Sequence, residues 1–120
     1  MLSYVLHFAG KFHSGFLDRA KGFPVDKIFN DEKYKGKPLI ICGHSMGGAV
    51  ATIVSIIMMN EFEKRTKATN DTKNHLIKCI TFGAPYFGDL ELKEYCDMRG
   101  FSKVIELLDR FDWMAFGYSR

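Results

Sequence analysis

The feature that most constrains the fold is the run Gly43-His44-Ser45-Met46-Gly47-Gly48, here called the serine turn (residues 43–48). The preceding residues Leu39-Ile40-Ile41-Cys42 are apolar without alternation, which is typical of a strand buried on both faces of a parallel sheet. The pattern from Met46 to Lys64 predicts a helix that is rich in small residues at its start. A Gly-x-Ser-x-Gly sequence at such a junction predicts a sharp strand-to-helix turn from which the serine hydroxyl projects.

Strand and helix patterns alternate along the rest of the chain. In order, the sequence predicts a short strand within residues 1–12, a helix over 16–20 capped by Ser14, a helix with Pro24 in its first turn, a strand over 76–82, a helix over 89–98 and a strand over 103–108. This alternation indicates an α/β fold, a parallel sheet flanked by helices, and we assign residues 1–120 to a single domain.

Composition excludes several classes of protein. Hydrophobic residues make up 47% of the 120 residues and charged residues 26%, as in folded globular chains. The net charge of +3 is small, and no stripe of basic and aromatic side chains predicts a nucleic-acid partner. The densest basic group, Lys64, Arg65 and Lys67, lies where cations complement the dipole of a helix. No apolar run reaches transmembrane length, and we predict no signal peptide.

The sequence contains three cysteines, Cys42, Cys79 and Cys96, without Cys-x-x-Cys spacing. An odd number without that spacing argues against a disulfide framework and against a zinc site. Cys42 and Cys79 lie in apolar strand patterns, so we expect both to be buried free thiols. Free thiols favour a reducing, cytoplasmic compartment.

Ser45 is the candidate nucleophile. The helix that begins after it offers unpaired backbone N–H groups and partial positive charge, so the N–H of Met46 is predicted to donate to a developing oxyanion. Gly43 and Gly47 are expected to let strand and helix approach closely. His44 is expected to pack beneath the turn rather than to act as a base. The alternative is an ordinary turn in which the serine caps the helix.

Four ordered segments resemble those of class 3 lipases, the fungal-lipase-like α/β hydrolases. They are Gly43–Ala49 (GHSLGGA in the family), His13–Phe16 (H-x-G-F), Thr81–Asp89 (T-F-G-x-P-x-x-G-[ND]) and Arg110–Asp112. The resemblance implies an α/β-hydrolase fold with a nucleophile elbow and no metal or organic cofactor. It also implies that Ser45 is the nucleophile, that Met46 N–H is one oxyanion donor and that Asp112 is the triad acid.

Three aspartates compete for the role of triad acid. Asp112 follows a strand that comes after the nucleophile strand, as the order Ser–Asp–His of this fold requires, and it agrees with the family motif. Asp109 lies at the strand end, where it could cap the following turn. Asp89 is more naturally the N-cap of the helix that begins near Leu90. The sequence therefore favours Asp112 and keeps Asp109 as the alternative.

Two parts of the family's catalytic site have no counterpart in these 120 residues. The triad histidine of the family follows the aspartate, whereas all four histidines of this sequence precede Asp112: His7, His13, His44 and His75. His13 is the candidate substitute, although the motif gives it a structural role. The F-R-G-[TS] segment with the second oxyanion donor is also missing. We therefore expect the sequence to be the central part of a longer lipase domain.

Three functions remain open at this point. The first is hydrolysis of lipid esters through an acyl-enzyme on Ser45, with a lipid ester as substrate and transient contact with a lipid surface. The second is binding of a partner or a lipid without hydrolysis, and the third is acyl transfer to an alcohol. The candidate acyl-chain contacts are side chains for which a core position is the default: Met46, Phe82, Tyr86, Phe87 and Trp113.

Overall fold

The computed structural model describes residues 2–4, 11–34, 36–66, 77–84, 87–98 and 105–107. Their strands and helices are, in chain order, β1 (Leu2–Tyr4), β2 (Lys11–His13), α1 (Ser14–Lys21), α2 (Val25–Asn30), β3 (Leu39–His44), α3 (Met46–Thr66), β4 (Ile77–Phe82), α4 (Leu90–Met98) and β5 (Ile105–Leu107). The sequence predicted each of these elements to within a few residues except β2, which pairs with β1 in a separate antiparallel ribbon.

Strands β3, β4 and β5 form a parallel sheet in that order. Leu39 lies beside Ile77 at one end of the β3–β4 pair, and His44 lies beside Phe82 at the other. Helix α3 connects β3 to β4, and α4 lies between β4 and β5 in the chain. The predicted parallel α/β sheet is therefore confirmed. Because the carboxyl ends of parallel strands meet at one edge, Ser45 lies at that edge of the sheet.

Helix α3 fills the space on one face of the sheet. Most of its side chains from Ala49 to Met59 are buried, and they form a core with side chains from α1, β4 and α4. Three fully buried side chains complete this cluster: Leu17 of α1, Phe87 of the segment before α4, and Leu92 of α4. A helix that is buried on nearly every side fits its almost continuous apolar sequence.

The opposite face of β3 and β4 carries exposed side chains. Ile40 is 62% exposed and Phe82 is 46% exposed, and Cys42 and His44 are also exposed. The prediction that the Leu39–Cys42 strand is buried on both faces is therefore wrong, and so is the predicted burial of Cys42. The physical reason is that α3 covers one face only, so every second residue of β3 points away from it.

The basic end of α3 connects it to α2. The guanidinium of Arg65 donates to the carboxylate of Asp26 and to the side-chain oxygen of Asn30, and it lies 4.9 Å from the ring centroid of Phe29. Glu61 also pairs with Arg65, at 3.4 Å. Arg65 therefore joins the two helices besides complementing the dipole of α3.

The three cysteines differ sharply in accessibility. Cys42 is exposed, whereas Cys79 and Cys96 are 1% and 0% exposed. Burial raises the pKa of the Cys79 thiol and of the Cys96 thiol, which keeps both in the unreactive protonated form. Cys42 and Cys79 lie on neighbouring strands but point to opposite faces of the sheet, so they cannot form a disulfide without backbone movement.

We therefore expect only one of the three thiols to react with a maleimide in the folded chain, and all three to react in denaturant. Intact-mass measurement counts the adducts directly. The variant Cys42→Ser should show none until the chain is unfolded, and Cys96→Ser serves as the control that retains the native adduct. Two or more adducts on the folded parent chain would contradict the burial of Cys79 and Cys96.

Candidate active site

Ser45 sits between the last residue of β3 and the first residue of α3. Its φ of +55° lies in the left-handed region, which costs a residue with a side chain about 1–2 kcal/mol. Its N–H donates to the carbonyl of Phe82 at 2.8 Å, and its own carbonyl accepts from the N–H groups of Gly48 and Ala49 at 2.8 and 3.3 Å. These hydrogen bonds hold the strained backbone between β4 and α3.

Glycines permit the close contact between strand and helix at the serine turn. A Cβ on Gly43 would lie 2.2 Å from the carbonyl oxygen of Gly47, so no side chain fits there. A Cβ on Gly48 would lie 3.0 Å from the Cβ of Ala84 and 3.3 Å from that of Thr81. A Cβ on Gly47 would meet nothing within 4 Å. Close approach therefore requires glycine at position 43 and leaves little room for a side chain at position 48. Position 47 is open, so the prediction that Gly47 permits the close approach is wrong.

The chemical groups at the top of the turn are accessible. Ser45 is exposed, and Met46 is 44% exposed beside it. Within the described ranges, no carbonyl accepts the N–H of Met46, which is the first residue of a helix of 21 residues. The turn thus presents a hydroxyl next to a backbone N–H that no described carbonyl accepts, at the positive end of a helix. This arrangement can hold a carbonyl oxygen on which negative charge develops.

The two described histidines, His44 and His13, either do not lie where the sequence predicted or have other roles. His44 is exposed on the face of β3 that α3 does not cover, so the prediction that it packs beneath the turn is wrong. His13 caps α1: its Nδ1 accepts the N–H of Phe16 at 3.5 Å, and its ring stacks on Phe16 with centroids 4.2 Å apart. His13, rather than the predicted Ser14, is therefore the N-cap. His7 and His75 lie outside the described residues.

Asp89 is the N-cap of α4, as the sequence predicted. Its Oδ1 accepts the N–H of Leu92 at 3.0 Å, so it caps the N-terminus of α4. Asp112 and Asp109 lie outside the described residues. Asp112 stays the predicted triad acid, with Asp109 as the alternative.

The candidate acyl-chain contacts divide into two groups. Phe87 is fully buried, and its carbonyl accepts the N–H of His13 at 2.6 Å, so Phe87 belongs to the core. Met46 and Phe82 are 44% and 46% exposed; Met46 follows Ser45 in the chain, and the carbonyl of Phe82 accepts the N–H of Ser45. Tyr86 and Trp113 lie outside the described residues. Two exposed apolar side chains therefore adjoin the serine.

Sequence reasoning missed two contributors to the turn. The carbonyl of Phe82 accepts the N–H of Ser45, and Thr81 packs against the first turn of α3 at Gly48. The doubled glycine, Gly47-Gly48, was the available signal for the second contact. In the part of the chain that the structure describes, no three His, Cys, Asp or Glu side chains come together as a metal site. No helix there is long and apolar enough to cross a membrane.

The family model described as Lipase (class 3) matches residues 2–115 of the sequence. The chain belongs to the class 3 lipase family. Comparison of the chain with the curated proteins finds no match.

Solved structures of lipases share the fold of this chain. A lipase from Rhizopus microsporus var. chinensis is 23% identical, with a TM-score of 0.64 over 83% of this chain and 34% of that one. A triacylglycerol lipase with a serine-protease triad is 19% identical, with a TM-score of 0.66 over 89% and 39%. Lipase II from Rhizopus niveus is 21% identical, with a TM-score of 0.62 over 89% and 39%. The chain thus spans between 34% and 39% of the length of these relatives.

Proposed function

We propose that this class 3 lipase hydrolyses carboxylic esters of lipids and that Ser45 is its nucleophile. The observation that carries the proposal is the geometry of the serine turn. Ser45 is exposed and its backbone is held at a φ of +55°. The N–H of Met46, which no carbonyl of the described residues accepts, follows it directly. A strained, hydrogen-bonded turn that lifts a serine above a sheet is the device by which α/β hydrolases present a nucleophile.

The proposed reaction proceeds through an acyl-enzyme. Ser45 Oγ attacks the ester carbonyl carbon while a histidine outside these 120 residues takes its proton, and Asp112 orients that histidine. The N–H of Met46 donates to the oxyanion of the tetrahedral intermediate. The alcohol leaves with the proton from the histidine, and water then hydrolyses the acyl-enzyme. One structural relative is a triacylglycerol lipase whose catalytic centre is a serine-protease triad, which supports this scheme.

Lipid esters are the proposed substrates because apolar side chains adjoin the serine. Met46 and Phe82 are nearly half exposed and are joined to Ser45 by the chain and by a backbone hydrogen bond, so their side chains are the proposed contacts of an acyl chain. Transient contact with a lipid surface follows for a substrate of this class.

The test is phosphonylation of Ser45 by a fluorophosphonate ester, with and without added imidazole. The chain should acquire one adduct slowly, because Met46 N–H stabilises the developing oxyanion without a base. Imidazole should accelerate the reaction, because it replaces the histidine that we place outside these residues. Ser45→Ala should acquire no adduct under either condition, whereas Ser14→Ala, a serine outside the turn, should react like the parent.

Other labelling results would contradict the assignment of Ser45 or locate the base elsewhere. A folded parent chain that stays unlabelled, or a Ser45→Ala variant that is still labelled, would contradict the assignment of Ser45. A fast reaction that imidazole does not change would show that the base lies within these residues. In a chain that is labelled, hydrolysis and acyl transfer are distinguished by whether water or an added alcohol receives the acyl group.

A further inference from the structure

A cleft lies between α1, α2 and the C-terminal half of α3, with a volume of about 520 Å³. This size lies within the range of small-molecule sites, roughly 300–1,000 Å³. Ile57, which lines it, follows Ser45 by 12 positions in the sequence, so at 1.5 Å per helical residue the cleft lies ~18 Å along α3 from the serine. It is therefore a separate site from the serine turn.

The floor of the cleft is apolar. Ala20 is buried, and Phe23, Val25 and Ile57 are half-buried side chains that pack against the core on one side and line the cleft on the other. Apolar side chains that remain partly open to solvent gain free energy when an apolar ligand covers them.

The rim of the cleft carries an unbalanced positive charge. It contains two carboxylates, Asp26 and Glu61. Arg65 pairs with both, and Lys64 lies 3.7 Å from Glu61, so two cations balance the two negative charges. It also contains Lys21 and Lys27, whose side chains are exposed and have no ion pair or hydrogen bond within the described ranges. Because the acidic groups are already neutralised, the two lysines leave the rim complementary to an anion.

We propose that this cleft binds a fatty carboxylate, with the alkyl chain on Phe23, Val25 and Ile57 and the carboxylate between Lys21 and Lys27. The apolar floor fits the chain, and the cationic rim fits the head group. The choice of a free fatty acid over other anionic amphiphiles rests on the proposed function, because ester hydrolysis releases one. The binding itself needs no catalysis, so it is tested independently of Ser45.

The probe is monomeric sodium dodecanoate, titrated into the ¹⁵N-labelled chain and followed by amide chemical shifts. Saturable shifts should centre on residues 20–27 and on Ile57. The double variant Lys21→Glu/Lys27→Glu should bind at least about tenfold more weakly, because both attractive charges become repulsive. The matched control Lys33→Glu/Lys37→Glu makes the same change in net charge outside the cleft and should bind like the parent.

Three further arms identify the ligand. Propionate, which has the charge without the chain, should cause no saturable shift, and neither should dodecanol, which has the chain without the charge. Equal weakening in both double variants, or shifts confined to the serine turn, would overturn the proposal. Co-sedimentation with phosphatidylglycerol vesicles in the absence of dodecanoate binding would also overturn it, because the basic rim would then serve a lipid surface.

Discussion

Replacing Gly43 with alanine is expected to unfold the serine turn and much of the core beneath it. The new Cβ would lie 2.2 Å from the carbonyl oxygen and 2.5 Å from the carbonyl carbon of Gly47, both of them backbone atoms at the start of α3. Relief would require the helix to move away from β3. The cost should therefore exceed the about 1–3 kcal/mol of ordinary overpacking and approach the total stability of a small domain, about 5–15 kcal/mol.

Urea unfolding followed by circular dichroism measures this loss, and Gly47→Ala is its matched control. A Cβ on Gly47 meets nothing within 4 Å, and its φ is not in the left-handed region. In a helix, alanine is favoured over glycine by about 0.5–1 kcal/mol, so this variant should be as stable as the parent or slightly more so. If the two variants lost equal stability, steric overlap at Gly43 would not be the cause.

Replacing Phe87 with alanine should have the second-largest effect, a loss of about 3–5 kcal/mol. The side chain is fully buried in the core cluster, where its removal leaves a cavity between elements that are far apart in the sequence. The backbone hydrogen bond from His13 to its carbonyl is unaffected, so the loss should report the side chain alone. The midpoint of urea unfolding measures it.

Phe82→Ala is the control for this prediction, because it removes the same ring from an exposed position. Phe82 is 46% exposed on the face of the sheet that α3 does not cover, so its loss should cost less than about 1.5 kcal/mol. Should Phe82→Ala prove as destabilising as Phe87→Ala, the exposed face of β3 and β4 would be covered in solution.

The order of strands and helices was predictable because each element carries a local signal. The apolar run before Gly43 and the long pattern after Ser45 are sufficient for β3, the turn and α3. The exposure of Ile40 and Cys42 was not predictable, because an apolar strand has the same sequence whether one or both faces are covered. Which faces are covered depends on segments elsewhere in the chain.

The candidate site shows the same division. The position of Ser45 follows from its motif, and the cap at Asp89 follows from its place before a helical pattern. The roles of Gly48 and His13 were not predictable from a motif. The role of Gly48 depends on which side of α3 meets Thr81, and that of His13 depends on its stacking on Phe16. The cleft near Ile57 is formed by segments that only the tertiary fold brings together.

The backbone of Ser45 has a consequence for engineering this chain. At a φ of +55°, replacing Ser45 with glycine would remove about 1–2 kcal/mol of left-handed strain. The larger conformational entropy of glycine in the unfolded chain opposes this gain. A directed-evolution screen that rewarded heat resistance alone would thus have a reason to discard the serine and no reason to restore it. Libraries built for stability should hold position 45 constant and be sorted on probe labelling as well as on survival.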